Sequence, residues 1–259
     1  MMGLLLTNLS IRLGGGSNSS VLLDGLASPL ASFFSSWWVL ILLLTLSTGF
    51  VFVWLFLYRK KLQVRIWEIV LVSIAHTIVG VLLVKFFALL EAGFDTTKAG
   101  NLSLYGGIFF MPLFYLGFAK AKKVSIPLAF DVFAPCLTCT LMLARFNCLV
   151  HGCCQGVLMS NGKRFPAPLV EILFQSAFLL ALIWLFACKK GKGIFYPIYM
   201  AGYGIFRFII EWFREFEGSA VLHFGHIWSI VSVVLGIAWI VTYVLLNRRN
   251  QKRSIEYEA

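Results

Sequence analysis

The sequence predicts an all-α membrane protein of seven transmembrane helices, with its N-terminus outside and its C-terminus in the cytoplasm. Three observations lead there. Of 259 residues, 60% are hydrophobic and 13% are charged, where a soluble domain carries about 25% charged residues. Seven apolar segments approach the roughly 20 residues that a spanning helix needs. Four basic stretches punctuate the chain: Arg59-Lys60-Lys61 with Arg65, Lys120 with Lys122-Lys123, Lys189-Lys190 with Lys192, and Arg248-Arg249 with Lys252-Arg253. Two apolar runs separate each stretch from the next, and the turns between those runs are poor in Lys and Arg. The positive-inside rule places the basic loops in the cytoplasm.

The first span, 37–58, ends at the first basic stretch. The second, 67–90, leads into an outer loop, 91–103, whose one basic residue is Lys98. The third, 104–119, is short and contains glycine; it opens on Tyr105-Gly106-Gly107 and stops at Lys120. The fourth, 126–150, carries Arg145 and exits into an outer loop holding Lys163 and Arg164. The fifth, 168–188, is entered from outside through Glu171 and ends at Lys189. The sixth, 193–213, carries Arg207 and Glu211 and reaches an outer loop, 213–225, whose one Lys or Arg residue is Arg214. The seventh, 227–246, begins beside His226 and ends at Arg248. Upstream, the apolar stretch 21–34 is interrupted by Asp24 and Pro29, and is expected to lie as a helix at the outer interface. Residues 1–35 thus form an extracytoplasmic segment, 36–247 the membrane domain and 248–259 a basic cytoplasmic tail. No basic region or small-residue cleavage site accompanies Leu4-Leu5-Leu6, so the first long run is expected to be a retained span.

The formal charge of +11 sits mostly in short loops between spans. A nucleic-acid binder would gather it on one face of a soluble domain, so nucleic acid is excluded as a partner.

A charge inside a spanning helix costs roughly 2.5–3.5 kcal/mol on insertion scales, and so calls for a partner or a wet cavity. Arg145 and Arg207 both fall in the outer halves of their helices. Arg207, Glu211 and Arg214 share one helix face by their spacing. With Glu171, Tyr105 and His226, five helices deliver polar groups to the same depth near the outer leaflet. Paired guanidiniums there suit a phosphate or a carboxylate, because each binds such anions as a fork. Phospholipid headgroups are the abundant phosphates at that depth. The plainer alternative is that Arg207 and Glu211 pair only for structure.

The loop after the fourth span holds Cys148, His151, Cys153 and Cys154 within seven positions. The spacing is not that of a structural zinc site, which uses separated pairs. Packing, a disulfide and a metal site all remain open for these thiols, and no metal is assigned. Cys136 and Cys139 lie mid-helix at another depth.

At this point the sequence resembles the prolipoprotein diacylglyceryl transferases. Their signature has the form G-R-x-x-N-F-x-N-x-E-x-x-G, or a variant ending G-C-C-x-G. Here residues 144–156 read A-R-F-N-C-L-V-H-G-C-C-Q-G, close to the variant. Leu104-Tyr105-Gly106-Gly107 looks like the family's H-G-G segment, and Ile126-Pro127-Leu128-Ala129-Phe130-Asp131 like its entry into the fourth helix. Phe165-Pro166-Ala167-Pro168-Leu169-Val170-Glu171 looks like H-P-T-Q-L-Y-E. Residues 203–214, Y-G-I-F-R-F-I-I-E-W-F-R, retain every keyed position of Y-G-x-x-R-F-x-x-E-x-x-R. Gly225-His226-Ile227-Trp228-Ser229 stands where the family has G-Q-x-x-S. The resemblance covers about residues 37–236.

The resemblance implies a transferase of the bacterial plasma membrane with its site toward the outer leaflet. Phosphatidylglycerol would give its diacylglyceryl group to the lipobox cysteine thiol of a prolipoprotein, forming a thioether and releasing glycerol phosphate, with no cofactor. By the family's pattern Arg145 holds the headgroup and Arg207 assists at the phosphate. Gly106, Gly107, Gly156, Glu171 and Glu211 fall at matching positions, and are expected to help bind substrate. The sequence departs from the pattern at Tyr105, His151, Cys153, Phe165, Pro168 and Val170. A phenol, with an ordinary pKa near 10, is a poor base unless cations assist it. His151 is therefore the expected base that activates the thiol, with Tyr105 orienting the headgroup; a solvated loop histidine is the alternative. Two other functions stay open: a phospholipid-dependent transferase with a different acceptor, and a non-catalytic lipid-binding or transport protein. Matching inverted halves would favour transport, and none is found.

Overall fold

A computed structural model describes residues 37–95, 103–152, 154–160, 162–188, 193–214 and 224–258. The interfacial helix expected at 21–34 lies outside them. Among the described residues there are seven helices: α1 (Trp37–Leu62), α2 (Ile66–Glu91), α3 (Tyr105–Lys122), α4 (Ile126–Val150), α5 (Ala167–Ala187), α6 (Phe195–Glu211) and α7 (Phe224–Glu258). The rest is turns and coil, with two isolated antiparallel β-bridges, Gly156 to Arg214 and Leu158 to Arg164.

Each expected span coincides with a helix. Five helices (α1, α2, α4, α5 and α7) are long and apolar enough to cross a membrane. The other two are shorter. α3 has 18 residues and ends in Lys120 and Lys122. α6 has 17, among them Arg207, Glu211 and three buried tyrosines. Basic residues fall in the last turns of α1 and α3, where the helix dipole favours cations. α7 does not stop near 246. It continues through the basic residues to Glu258, because Lys, Arg, Gln and Glu support a helix and no Gly or Pro interrupts them.

The outside of the bundle is hydrocarbon. Leu42, Leu57, Leu82, Leu180 and Leu235 are all exposed. Exposed leucines on an all-helical bundle suit lipid, where every backbone group must find its partner within the chain. The molecule is a multi-pass membrane protein. α4 is its spine, with residues Ala129–Cys139 buried without a break. Short polar links join the neighbouring helices. Ser47 Oγ lies 2.9 Å from Thr140 Oγ1, Thr48 Oγ1 lies 2.9 Å from Thr77 Oγ1, and Trp54 Nε1 donates to the Val132 carbonyl at 2.9 Å. Such bonds hold helices together where water cannot compete.

One clamp sets the register that matters for function. The buried Asp131 carboxylate of α4 accepts from the Gly193 N–H at 2.5 Å and the Phe195 N–H at 2.9 Å. It caps the start of α6, satisfying donors that a helix N-terminus leaves open. Gly193 has φ +84°, and a Cβ there would meet Pro127, so the turn requires glycine. From this clamp α4 and α6 run in the same direction. At 1.5 Å per residue, Arg145 stands about 21 Å above Asp131 and Arg207 about 18 Å above Phe195. α5 runs the opposite way and brings Glu171, in its second turn, to that level.

Candidate functional site

Three helices meet at Glu171. Its Oε2 lies 2.7 Å from Arg145 Nε on α4. Its Oε1 lies 3.4 Å from Arg207 Nη1 on α6 and accepts the Tyr203 hydroxyl at 3.1 Å. Arg207 Nη2 then pairs with Glu211 Oε2 at 2.9 Å, and Arg214 Nη1 reaches the same oxygen at 3.6 Å. Arg145, Glu171, Arg207 and Glu211 are each at most 5% exposed. Glu91, at the end of α2, bonds Ser103 and lies within electrostatic range of Arg207, Glu211 and Arg214. Three guanidiniums therefore face three carboxylates at the end of the bundle opposite the Asp131 clamp.

Neither inner arginine spends its whole donor set. Arg145 meets Glu171 through Nε, while Nη1 has the Cys148 sulfur at 4.0 Å. Arg207 Nη1 is buried and has the ion-pair contact at 3.4 Å but no hydrogen bond. Arg145 also bonds the Tyr203 side chain. A guanidinium carries five N–H donors, so by count each arginine has more donors than these contacts use.

Tyr105 opens α3 beside this cluster. Its ring meets the Tyr203 ring edge-on, with centroids 5.8 Å apart, and stacks on Phe109. Its hydroxyl lies 2.6 Å from Ser229 Oγ on α7, so the bond it makes is to serine rather than to an arginine. The next two residues let α3 seat there. A Cβ at Gly106 would run into the Leu83 backbone and Phe87 of α2. A Cβ at Gly107 would press on Leu141 of α4 at 3.3 Å and touch Leu137 at 3.5 Å.

Glu211 has its own fitted surroundings. Its carboxylate lies against the first turn of α7, where a Cβ at Gly225 would collide with it. Glycine allows that approach, and the positive end of the helix dipole favours it. Next to it, His226 is buried edge-on to Phe208 and Trp212, with centroids 5.3 and 4.8 Å away.

The loop between α4 and α5 is strapped to the end of α6. Gly156 N donates to Phe165 O at 2.8 Å and Val157 N to Phe213 O at 2.9 Å. A Cβ at Gly156 would strike the Phe213 carbonyl and Phe165. Gly156 thus holds the loop close to the arginine helix. His151 follows the last residue of α4, half-buried, with Nδ1 2.9 Å from the Asn147 carbonyl. Among the described residues no bond joins it to the arginine cluster. No disulfide joins Cys136, Cys139, Cys148, Cys154 or Cys188; Cys153 lies outside the described residues.

Sequence reasoning placed Arg145, Arg207, Glu171 and Glu211 together, and they are together. Tyr203 and Ser229 stand at keyed motif positions, but their bonds to Glu171 and Tyr105, and the place of Glu91 beside the arginines, are not among the expectations. Tyr203 lies four positions before Arg207 on the same helix face, which offered a signal for its contact.

A family model described as prolipoprotein diacylglyceryl transferase matches residues 29–242. The chain is 29% identical over 171 residues to a phosphatidylglycerol–prolipoprotein diacylglyceryl transferase of Bordetella avium, covering 60% of this chain and 64% of that protein. It is 26% identical over 164 residues to the enzyme of that name from Geobacter sulfurreducens, covering 58% and 63%. With the one from a Polaromonas species it shares 29% over 131 residues, covering 45% and 48%. The matched stretch thus spans between about half and two thirds of these relatives.

Proposed function

The chain belongs to the prolipoprotein diacylglyceryl transferase family, and on that premise we propose that it transfers the diacylglyceryl group of phosphatidylglycerol to the lipobox cysteine thiol of a prolipoprotein. The observation that carries this reading is the pair of buried arginines converging on Glu171. The reaction needs positive charge where a phosphate ester departs. It also needs that charge held rigidly, away from water, at headgroup depth.

In this reading Arg145 holds the phosphate and Arg207 stabilises the oxygens that gain charge. Glu171 and Glu211 fix the two guanidiniums. The thiol sulfur bonds to the glycerol carbon, the carbon–oxygen bond to phosphate breaks, and glycerol phosphate leaves with the bonding pair. The thiol proton passes to a base, which we assign to His151 at the mouth of the loop. Tyr105, held by Ser229, orients the headgroup. Gly106, Gly107 and Gly156 serve by bringing Tyr105 and the outer loop up to the arginines. The chain crosses the bacterial plasma membrane seven times, with the N-terminus out and the C-terminus in, α3 and α6 being the shorter spans. The site faces the outer leaflet. Residues 1–35, 36–247 and 248–259 act as outer segment, membrane domain and cytoplasmic tail.

Tyr105 in place of the family's histidine favours one second reading, a transferase using the same lipid with another acceptor. Complementation of a strain depleted of its own diacylglyceryl transferase separates the two. The first reading predicts lipoproteins heavier by one diacylglyceryl group. Unmodified lipoproteins, with the chain present in the membrane, would exclude it.

A further inference from the structure

α5 and α6 are joined by two matching rungs. Glu171 and Gln175 lie four positions apart on α5, at 1% and 0% exposure. Tyr203 and Tyr199 lie four positions apart on α6. The Tyr203 hydroxyl donates to Glu171 Oε1 at 3.1 Å, and the Tyr199 hydroxyl donates to Gln175 Oε1 at 2.9 Å. The helices run in opposite directions, so the second rung lies about 6 Å deeper in the bundle than the first.

The rungs differ in chemistry. The outer one is charged and flanked by Arg145 and Arg207. The deeper one is neutral. There Gln175 Nε2 is buried and has no hydrogen-bond partner among the described residues. Buried amide donors are nearly always paired, so an open one needs an explanation. One turn deeper again on α5 stands Leu179, buried and apolar. Going inward, the wall of α5 therefore presents an ion-paired level, an amide donor and then hydrocarbon. A glycerophospholipid has the same order: an anionic phosphate, ester carbonyls a few bonds further in, then acyl chains.

We infer that Gln175 is a lipid-binding residue whose amide N–H donates to an ester carbonyl of the phospholipid held at Arg145 and Arg207. The inference rests on the proposed phosphate site and extends it. It makes the site discriminate ester-linked lipid from ether-linked lipid, which has the same headgroup and chains but no carbonyl.

The test uses the full chain in detergent. Phosphatidylglycerol with brominated acyl chains quenches the tryptophans on binding, and unlabelled lipid displaces it. Dioleoyl phosphatidylglycerol should displace the probe at a concentration about three- to tenfold lower than its dialkyl ether counterpart, the effect of one buried hydrogen bond. Gln175→Met removes the donor, and Gln175→Asn withdraws it by one methylene while keeping a buried amide should the first variant not fold. Either should bring the ratio near one. Tyr199→Phe, which removes the rung but leaves the amide, should keep the preference. A ratio near one in the unsubstituted chain, or a ratio unchanged by the Gln175 substitutions, overturns the inference; the amide would then serve packing or a bound water. Assay of a lipobox peptide in parallel separates this from the proposed reaction. Discrimination without transfer retains Gln175 and removes the transferase reading; transfer without discrimination does the reverse.

Discussion

Arg145 and Glu171 meet along one edge: Nε of the guanidinium lies 2.7 Å from Oε2 of the carboxylate. The contact takes up the Nε edge of the guanidinium, while Nη1 has the Cys148 sulfur at 4.0 Å. Arg207 approaches the other oxygen of the same carboxylate from α6. Glu171 thus sets the separation of two cations that would otherwise repel each other inside the membrane. A lipid phosphate entering between them would find a charge pattern already assembled, with little reorganisation left to do.

Glu171→Gln should destabilise the protein by about 3–5 kcal/mol, because it leaves two buried guanidiniums short of a counter-charge. Thermal unfolding in detergent measures this. Combining it with Arg145→Met should recover part of the loss, since an apolar replacement removes a charge that has lost its partner. A pair of effects that merely add would show that the two residues are not coupled.

Arg145→Lys should lower activity by about tenfold or more while the fold persists. A lysine can meet Glu171 as a point charge, but it has no planar fork to offer the phosphate as well. Lipid-transfer kinetics at saturating peptide check this. Retention of full activity would assign Arg145 to structure alone.

The extent to which the sequence disclosed the site follows from its physics. Charges are scarce in spanning helices, so Arg145, Arg207 and Glu171 stood out, and helix direction gave their common depth. Contacts that depend on rotation about the helix axis did not stand out. Tyr203 bonding Glu171, Ser229 bonding Tyr105 and Glu91 facing the arginines come from which faces turn inward. The largely apolar spans of α2 and α7 carry little periodic signal for that, whereas on α6 the four-residue spacing of Tyr203 and Arg207 offered one. α7 continues as a helix beyond the expected span to Glu258, because the residues of the basic run are good helix formers.

Asp131→Ala should act at a distance. It removes the carboxylate that accepts from Gly193 and Phe195, at a cost of about 1–2 kcal/mol for a lost cap. It should also loosen the register between α4 and α6, and so weaken lipid binding at the far end of both helices. Binding and unfolding measured together test this. A drop in stability with unchanged lipid affinity would confine the clamp to folding.

His151→Gln should depress peptide lipidation, because it removes the imidazole assigned to take the thiol proton. Tyr105→Phe should weaken lipid binding, measured by displacement of a labelled phosphatidylglycerol. Full peptide lipidation after His151→Gln would assign the proton to another group.

The most direct measurement is transfer by the purified protein in phosphatidylglycerol vesicles, with a lipobox peptide as acceptor and the peptide mass as readout. The account predicts a peptide heavier by one thioether-linked diacylglyceryl group, with one glycerol phosphate released per peptide, and loss of both in Arg207→Ala. A peptide of unchanged mass in the presence of bound phosphatidylglycerol would contradict it.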